Sequence, residues 1–365
     1  YERHLISWAD RGFRSLKPAN NARPLPLDVL FERVRSAHPD LTPTAVTVRS
    51  DEGAAVAIVA GQRTLYVDRY SGSLVGEASR GGVRKFMADL RAWHRWLAVE
   101  GDRRPLARAI TGWSNFLFLF IVCSGFYLWF PRKWTWAQIR SVVIFNPGAR
   151  GKARDFNWHN VIGSWCVVPL FIVVLSALPI SFGWFNSLVY RAVGDTPPTP
   201  AGGGGGPEAR PRTPRDTERS PGAVPATPTL SVDALLTRAE SQVPGWRSVS
   251  LRVPAAGAPA VFTIDKGDGG QPHLRSTLTL NSRTGEMTRY ESFGDLTLGR
   301  RIRNTMRFAH TGEVLGIPGQ TVAGIVSAGG AVLAWTGLAL ALRRFRAWIG
   351  RRVRRADSAR VPSAA

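Results

Sequence analysis

Three histidines lie close to the longest apolar stretches of the sequence, and imidazole is the side chain there best suited to chemistry. His310 lies in RFAHTGEVLG (307–316), directly before an apolar run, and His159 lies in FNWHNVIGSW (156–165), before another. His94, in LRAWHRWL (90–97), precedes a third. An imidazole is costly to bury in lipid without a partner. Because neutral imidazole is a common metal ligand, metal binding is the chemistry to test.

Three apolar windows, at 110–130, 161–185 and 314–342, exceed the roughly 20 residues that a membrane-spanning helix needs. With their flanking residues they predict transmembrane helices at 110–131, 156–186 and 311–343. The third window is rich in Gly and Ala, which favours close helix packing in lipid.

The composition agrees with a membrane protein. The formal net charge of +22 alone would suggest nucleic acid, but 13 tryptophans and the apolar runs favour a lipid bilayer, and no nucleic-acid partner is expected. Both cysteines, Cys123 and Cys166, fall inside apolar runs, so no disulfide framework is predicted. A CxxCH motif for covalent haem attachment does not occur in the sequence.

Basic residues predict the orientation, because Lys and Arg collect on the cytoplasmic side. The loop 132–155 and the tail 344–365 are strongly basic, so both are expected in the cytoplasm. Residues 1–109 and the segment between the second and third spans are then external. A soluble segment cannot cross a membrane unaided, so a fourth apolar helix is expected before Tyr1.

The external segments contain a repeat. Residues 25–77 and 229–290 each carry an amphipathic helix followed by three strand-like runs, of which the last includes a hairpin. We therefore predict two α+β domains, at 1–82 and 229–295, attached to the helical bundle. The Pro/Gly-rich segment 187–228 lacks apolar periodicity and is predicted to be a disordered linker.

The two hairpins match in detail. The turn from Asp68 to Gly72 corresponds to the turn from Asn281 to Gly285. The Asp or Asn side chain can cap such a turn, and Gly takes its left-handed position.

The predicted orientation separates the histidines into two groups. His94 lies on an amphipathic segment (83–109) at the external interface, and His310 lies at the external end of the third span. His159 lies at the cytoplasmic end of the second. We predict that His94 and His310 ligate one non-covalent, b-type haem from its two faces, and that His159 ligates a second haem. The partner of His159 would come from the expected fourth helix.

Neighbouring residues suit the edges and faces of a haem. Trp93 could stack on the macrocycle, and so could Trp96, Trp158 and Phe308. Arg91, Arg95 and Arg307 could pair with propionates, because guanidinium pairs well with carboxylate.

Other interpretations stay open at this point. A single histidine at a helix end is more often an interfacial or capping residue than a ligand. A zinc site is less favoured, because no second histidine follows these positions at i+3 or i+4 within a helix.

Four stretches carry a family resemblance: WHRWL (93–97), ITGWSNFLFLFIVCSGFYLWFPRKWTW (110–136), RDFNWHNVIGSW (154–165) and HTGEVLGIPGQTVAG (310–324). They resemble the PepSY-associated transmembrane helix family, and both external repeats resemble PepSY domains. That family includes iron-regulated bacterial inner-membrane proteins, among them ferric-siderophore reductases with two b-type haems. The resemblance implies haem ligation at His94, His159 and His310 and periplasmic external domains. It also implies a further N-terminal helix with a histidine near its cytoplasmic end.

The resemblance implies an electron conduit. A cytoplasmic reductant or a membrane quinol would supply electrons that reduce an external ferric-siderophore and release Fe(II). The alternative is a membrane-anchored PepSY module that binds or inhibits a periplasmic peptidase. Transport is less favoured, because the spans offer few polar groups near their midpoints.

Overall fold

The computed structural model describes residues 1–14, 22–61, 63–78, 82–129, 135–198, 230–255 and 257–358. It is mostly helical, with one antiparallel sheet and three candidate membrane-spanning helices. The greater part of the predicted linker, from residue 199 onward, and the loop residues Arg132 and Lys133 lie outside the described residues.

The α-helices follow one another as α1 (Glu2–Ala9), α2 (Arg11–Arg14), α3 (Leu27–Ala37), α4 (Gly82–Trp96), α5 (Arg104–Trp129), α6 (Trp136–Val143), α7 (Gly151–Ser181), α8 (Gly183–Ala192), α9 (Val232–Gln242), α10 (Leu298–His310) and α11 (Gly316–Ser358). The strands are β1 (Pro43–Arg49), β2 (Val56–Ala60), β3 (Arg63–Val67), β4 (Leu74–Glu77), β5 (Ser248–Arg252), β6 (Ala260–Asp265), β7 (Arg275–Leu280) and β8 (Met287–Glu291).

Both repeats belong to one continuous sheet with the strand order β4-β3-β2-β1-β5-β6-β7-β8. Its centre is the antiparallel pair β1 and β5, in which Thr47 lies opposite Ser250 and Arg49 opposite Ser248. The prediction that the two repeats form two separate domains is therefore wrong, because they share one sheet. The physical reason is that each repeat ends in an open strand edge, and pairing the two edges satisfies their backbone groups.

The predicted turns are confirmed. Gly72 and Gly285 have φ of 67° and 69°, and each amide donates to the carbonyl of the Asp68 or Asn281 that begins its turn. Each turn joins the last two strands of its repeat.

Helices α3 and α9 cover one face of the sheet and form a single core with it. Leu30 and Leu235 of these helices are fully buried, as are Ile58, Phe262 and Leu278 of the sheet. Alternation of buried and exposed residues along the strands directs the apolar side chains to this face.

The two helices also cap each other. Asp233 of α9 accepts a hydrogen bond from the amide of Leu27 at 3.0 Å, and Asp28 of α3 accepts from the amides of Val232 and Asp233 at 3.2 and 3.1 Å. Amides in the first turn of a helix have no partner within the helix, and carboxylates near that end are favoured by the helix dipole.

Within the described residues, three helical stretches are long and apolar enough to cross a membrane: Gly101–Leu128, Gly151–Ser181 and Glu313–Arg352. Each overlaps one predicted span, but the bounds differ. Helix α7 begins within the predicted cytoplasmic loop, and α11 continues to Ser358, because the basic segments there are also good helix formers.

Two further bounds need correction. The predicted linker start at residue 187 is wrong, because α8 continues to Ala192 and its Tyr190 is buried. The predicted amphipathic segment 83–109 is two helices, because Leu97 and Ala98 adopt positive φ and separate α4 from α5. Helix α10 was not predicted as a separate element.

The chain divides into two compact units. The sheet unit contains Tyr1–Thr111 and Pro179–Phe308, and the helix unit contains Gly112–Leu178 and residues from Ala309 onward. In the helix unit, Val122, Cys166, Leu170, Val174 and Val326 form a buried apolar cluster.

Candidate functional site

His159 lies on α7 in the helix unit and contacts α11. Its Nδ1 atom lies 2.9 Å from Thr336 Oγ1, and Thr336 Oγ1 lies 2.8 Å from the carbonyl oxygen of Val332. A hydroxyl has one proton and a carbonyl can only accept, so Thr336 donates to Val332 and accepts from His159. The neutral imidazole therefore carries its proton on Nδ1 and its lone pair on Nε2, the arrangement of an imidazole that ligates a metal through Nε2.

A cavity of about 560 Å³ adjoins His159 and is lined by α5, α7 and α11. Its size falls within the range of sites that bind cofactors and other small molecules. Apolar side chains form most of the lining, including Phe118, Phe126 and Leu170.

Each of the three helices contributes a glycine to this lining: Gly125, Gly163 and Gly337. A Cβ atom on Gly337 would lie 3.3 Å from His159 Cε1, whereas a Cβ on Gly125 would meet nothing within 4 Å. Glycines leave flat helix surfaces beside the imidazole. An apolar cavity with flat walls and one neutral imidazole fits a planar haem.

A buried carboxylate that pairs with two exposed arginines lies one helical turn before His159. Asp155, four residues earlier on α7, lies 2.8 Å from Arg343 of α11 and 3.1 Å from Arg154. Residues four apart share a helix face, so Asp155 and His159 both hold α7 against α11. Arg343 and Thr336 are seven residues apart and occupy the matching face of α11.

His310 is the last residue of α10 and belongs to the helix unit. Its Nδ1 atom lies 2.9 Å from the carbonyl oxygen of Val173, so Nδ1 donates and the neutral imidazole again has its lone pair on Nε2. Asn115 donates to the next carbonyl, Val174, at 3.0 Å. Both carbonyls lie on α7, shortly before Pro179.

His94 is exposed on α4 in the sheet unit. Its neighbour Trp93 is 59% exposed, and Arg91 forms an ion pair with Glu2 at 2.7 Å. Arg95 lies over the ring of Trp96, 4.7 Å from its centroid. Because His94 and His310 belong to different units, their pairing on one haem stays a prediction.

Arg307 of α10 lies over Phe308, one turn after a more deeply buried arginine. Arg303 donates through Nε to Asn186 Oδ1 of α8 at 2.9 Å. Burial lowers the pKa of Arg303, and the nearby Arg307 lowers it further.

The described residues match the model of one protein family, the PepSY-associated TM region, over residues 1–344. The chain belongs to this family. The match includes the first two spanning helices, the third as far as residue 344, and all eight strands of the sheet, and the predicted family is thereby confirmed. No curated protein matches the chain. Family membership and the three apolar helices together identify a membrane protein.

The sequence analysis did not single out Thr336, the three glycines or the ion pair of Asp155 with Arg343. Asp155 could have been found from its spacing, because it lies four residues before His159. Thr336 could not, since the register between two distant antiparallel helices is not encoded in either helix alone.

Proposed function

We propose that this member of the PepSY-associated TM region family is a di-haem electron-transfer protein of a bacterial inner membrane that reduces a periplasmic ferric-siderophore. A haem supplies reversible one-electron chemistry at its iron when bound. One electron from a cytoplasmic reductant or a quinol would convert the chelated Fe(III) to Fe(II), and the siderophore oxygens then hold the metal less tightly.

The observation that carries the proposal is the hydrogen bond from His159 Nδ1 to Thr336, beside an apolar cavity with glycine walls. Thr336 fixes the tautomer and the ring plane, so that Nε2 offers its lone pair in one direction. The ion pair of Asp155 with Arg343 keeps α7 and α11 in register around it.

The hydrogen bond from His310 Nδ1 to the carbonyl oxygen of Val173 fixes the tautomer of His310 in the same way. The proposal assigns it, with His94, to a second haem near the periplasmic surface, with Trp93 and the guanidinium groups of Arg91, Arg95 and Arg307 around it. Arg91 would have to exchange its partner Glu2 for a propionate.

The proposed orientation has two supports. Strands β1–β4 precede α5 and strands β5–β8 follow α7, yet they form one sheet, so the chain must return to the side from which it left. The basic residues Arg140 and Arg150 lie between α5 and α7, and Lys152 lies in the first turn of α7, which favours the cytoplasm for that segment.

The test is the haem content of the purified protein after reconstitution. We expect a Soret band and reduced α-band typical of bis-imidazole haem b, and His159→Ala should lower the haem-to-protein ratio. Ser327→Ala, which removes a polar side chain of α11 outside the cavity lining, is the control and should leave that ratio unchanged. An unaltered ratio and spectrum in His159→Ala would overturn the proposal.

The same variants distinguish the electron-transfer proposal from the alternative, a module that binds a periplasmic peptidase. That function needs only the sheet unit, so it predicts that loss of the histidines leaves peptidase binding or inhibition unchanged.

A further inference from the structure

A second cavity, of about 610 Å³, lies in the sheet unit on the face opposite α3 and α9. Helix α1 forms one side of it through Arg3, His4 and Ser7, and the central strands form its floor. We call it the arginine cleft. Its volume suits a ligand of several hundred daltons.

The floor is built from side chains in register on neighbouring strands. Arg49 of β1 pairs with Ser248 of β5, Ser248 with Asp265 of β6, and Asp265 with Arg275 of β7. These four side chains form one row across the sheet.

The next row consists of hydroxyl groups. Thr47 lies opposite Ser250, with 2.9 Å between their hydroxyl oxygens, and Ser250 lies opposite Thr263. Hydroxyl groups can donate and accept, so this row can bind the hydroxyl or carbonyl groups of a ligand.

In the first repeat, the same face of the sheet is covered by apolar side chains. There Phe13 stacks on Tyr66 with the ring centroids 6.1 Å apart, and Ala57 and Val75 pack beside them. One half of the face is thus closed by apolar packing, whereas the half that belongs to the second repeat is polar and open. A polar face is ordinary for a solvated sheet, but this one is bordered on one side by α1 and concentrates charge.

The charge of the lining is positive. Five arginines and three aspartates line the cleft: Arg3, Arg49, Arg84, Arg247 and Arg275 with Asp51, Asp265 and Asp268. Arg84 also pairs with Asp10, which lies outside the lining, and a positive excess remains. The pairs of Arg247 with Asp268 at 3.0 Å and Arg275 with Asp265 at 3.3 Å hold two guanidinium groups in place.

We infer that the arginine cleft binds a small polycarboxylate that also carries hydroxyl groups. Its carboxylates pair with the guanidinium groups, which recognise carboxylate with two parallel hydrogen bonds, and its hydroxyls meet the Ser/Thr row. A role for this ligand as the iron-bearing electron acceptor would rest on the proposed function, whereas the binding itself does not.

The test is calorimetric titration of the whole protein in lipid nanodiscs, without haem or iron. Citrate is the probe, and triethyl citrate, which keeps the skeleton but not the charges, is the neutral control. We expect citrate to bind and the ester not to bind. Inorganic phosphate should bind more weakly than citrate.

Arg49→Gln should weaken citrate binding by about tenfold or more, because it removes charge-assisted hydrogen bonds. Arg35→Gln is the matched control: it removes the same charge from α3, on the other side of the sheet, and should leave the affinity unchanged. Arg247→Gln, at a largely exposed position, replaces Arg49→Gln if that variant does not fold.

Three outcomes would overturn the inference. The first is that citrate gives no heat of binding. The second is that the ester or phosphate binds as tightly as citrate. The third is that Arg35→Gln and Arg49→Gln lower the affinity for citrate equally. None of these bears on haem content, so the two proposals fail separately.

Discussion

Hydrogen-bond partners orient single side chains in this protein and fix their tautomers. His159 and His310 each donate from Nδ1, one to a hydroxyl and one to a backbone carbonyl, and both neutral rings thereby offer Nε2. Glu240 of α9 is a contrasting case, because it is half-buried and burial has the largest effect on it. Burial raises the pKa of Glu240, Arg69 lowers it and Asp233 raises it, with burial the largest of the three effects.

Glu240→Gln should therefore stabilise the sheet unit at neutral pH. A folded-state pKa above the unfolded value, which is about 4.3, means that Glu240 contributes stability only while protonated. That contribution is present below about pH 4.3 and is lost as pH rises through the raised folded pKa. We expect a higher melting temperature for Glu240→Gln at pH 7 and no difference at pH 4. The exposed Glu52→Gln is the control, and an equal effect of both would show that net charge is responsible.

At the scale of elements, the contact between α7 and α11 depends on glycine. A Cβ atom on Gly329 of α11 would lie 2.7 Å from Cys166 Sγ, closer than real Cβ contacts, and one on Gly163 of α7 would lie 3.7 Å from Leu333. In lipid, where no hydrophobic effect drives helices together, such close packing is a main source of attraction. Cys166 is thus a packing residue of the helix unit.

Gly329→Ala should loosen this contact and lower the thermal stability of the protein in detergent by an amount typical of overpacking, about 1–3 kcal/mol. Gly324→Ala, on the same helix with open space around its Cβ, should have little effect. Adding Cys166→Ala removes the opposing sulfur and should restore part of the loss. If the double variant is no more stable than Gly329→Ala alone, the assigned contact is not the cause.

At the scale of the whole molecule, the sheet unit is built by joining two copies of one motif. The copies share the β1–β5 pair, one core and reciprocal helix caps. Such caps connect residues more than 200 positions apart, so they stabilise the joined unit and not either half.

Asp28→Ala and Asp233→Ala should each destabilise the sheet unit by about 1 kcal/mol, the usual effect of losing a helix cap. Asp28→Ala should lower the stability more than Asp233→Ala does, because Asp28 accepts hydrogen bonds from two amides and Asp233 from one. Chemical denaturation followed by circular dichroism measures both effects. Asp89→Ala, which removes only an exposed ion pair with Lys85, should change stability little.

Local sequence patterns predicted local structure well, but they did not predict which distant segments pair. The apolar windows predicted the spanning helices, and the Gly72 and Gly285 turns were predicted from their residue types. Neither β1 nor β5 carries a signal that names the other as its partner, so one sheet was read as two domains. The same limit applies to His159, whose position was predicted but whose partner Thr336 was not.

The joined sheet has a consequence for biogenesis. Strands β1–β4 leave the ribosome first, and their partner β5 is synthesised only after α5 and α7 have both been made. Until then β1 is an open edge, which can pair with other chains and aggregate. Completion of the sheet therefore has to wait until α5 and α7 have been synthesised, and any delay at that step leaves the nascent protein open to misassembly.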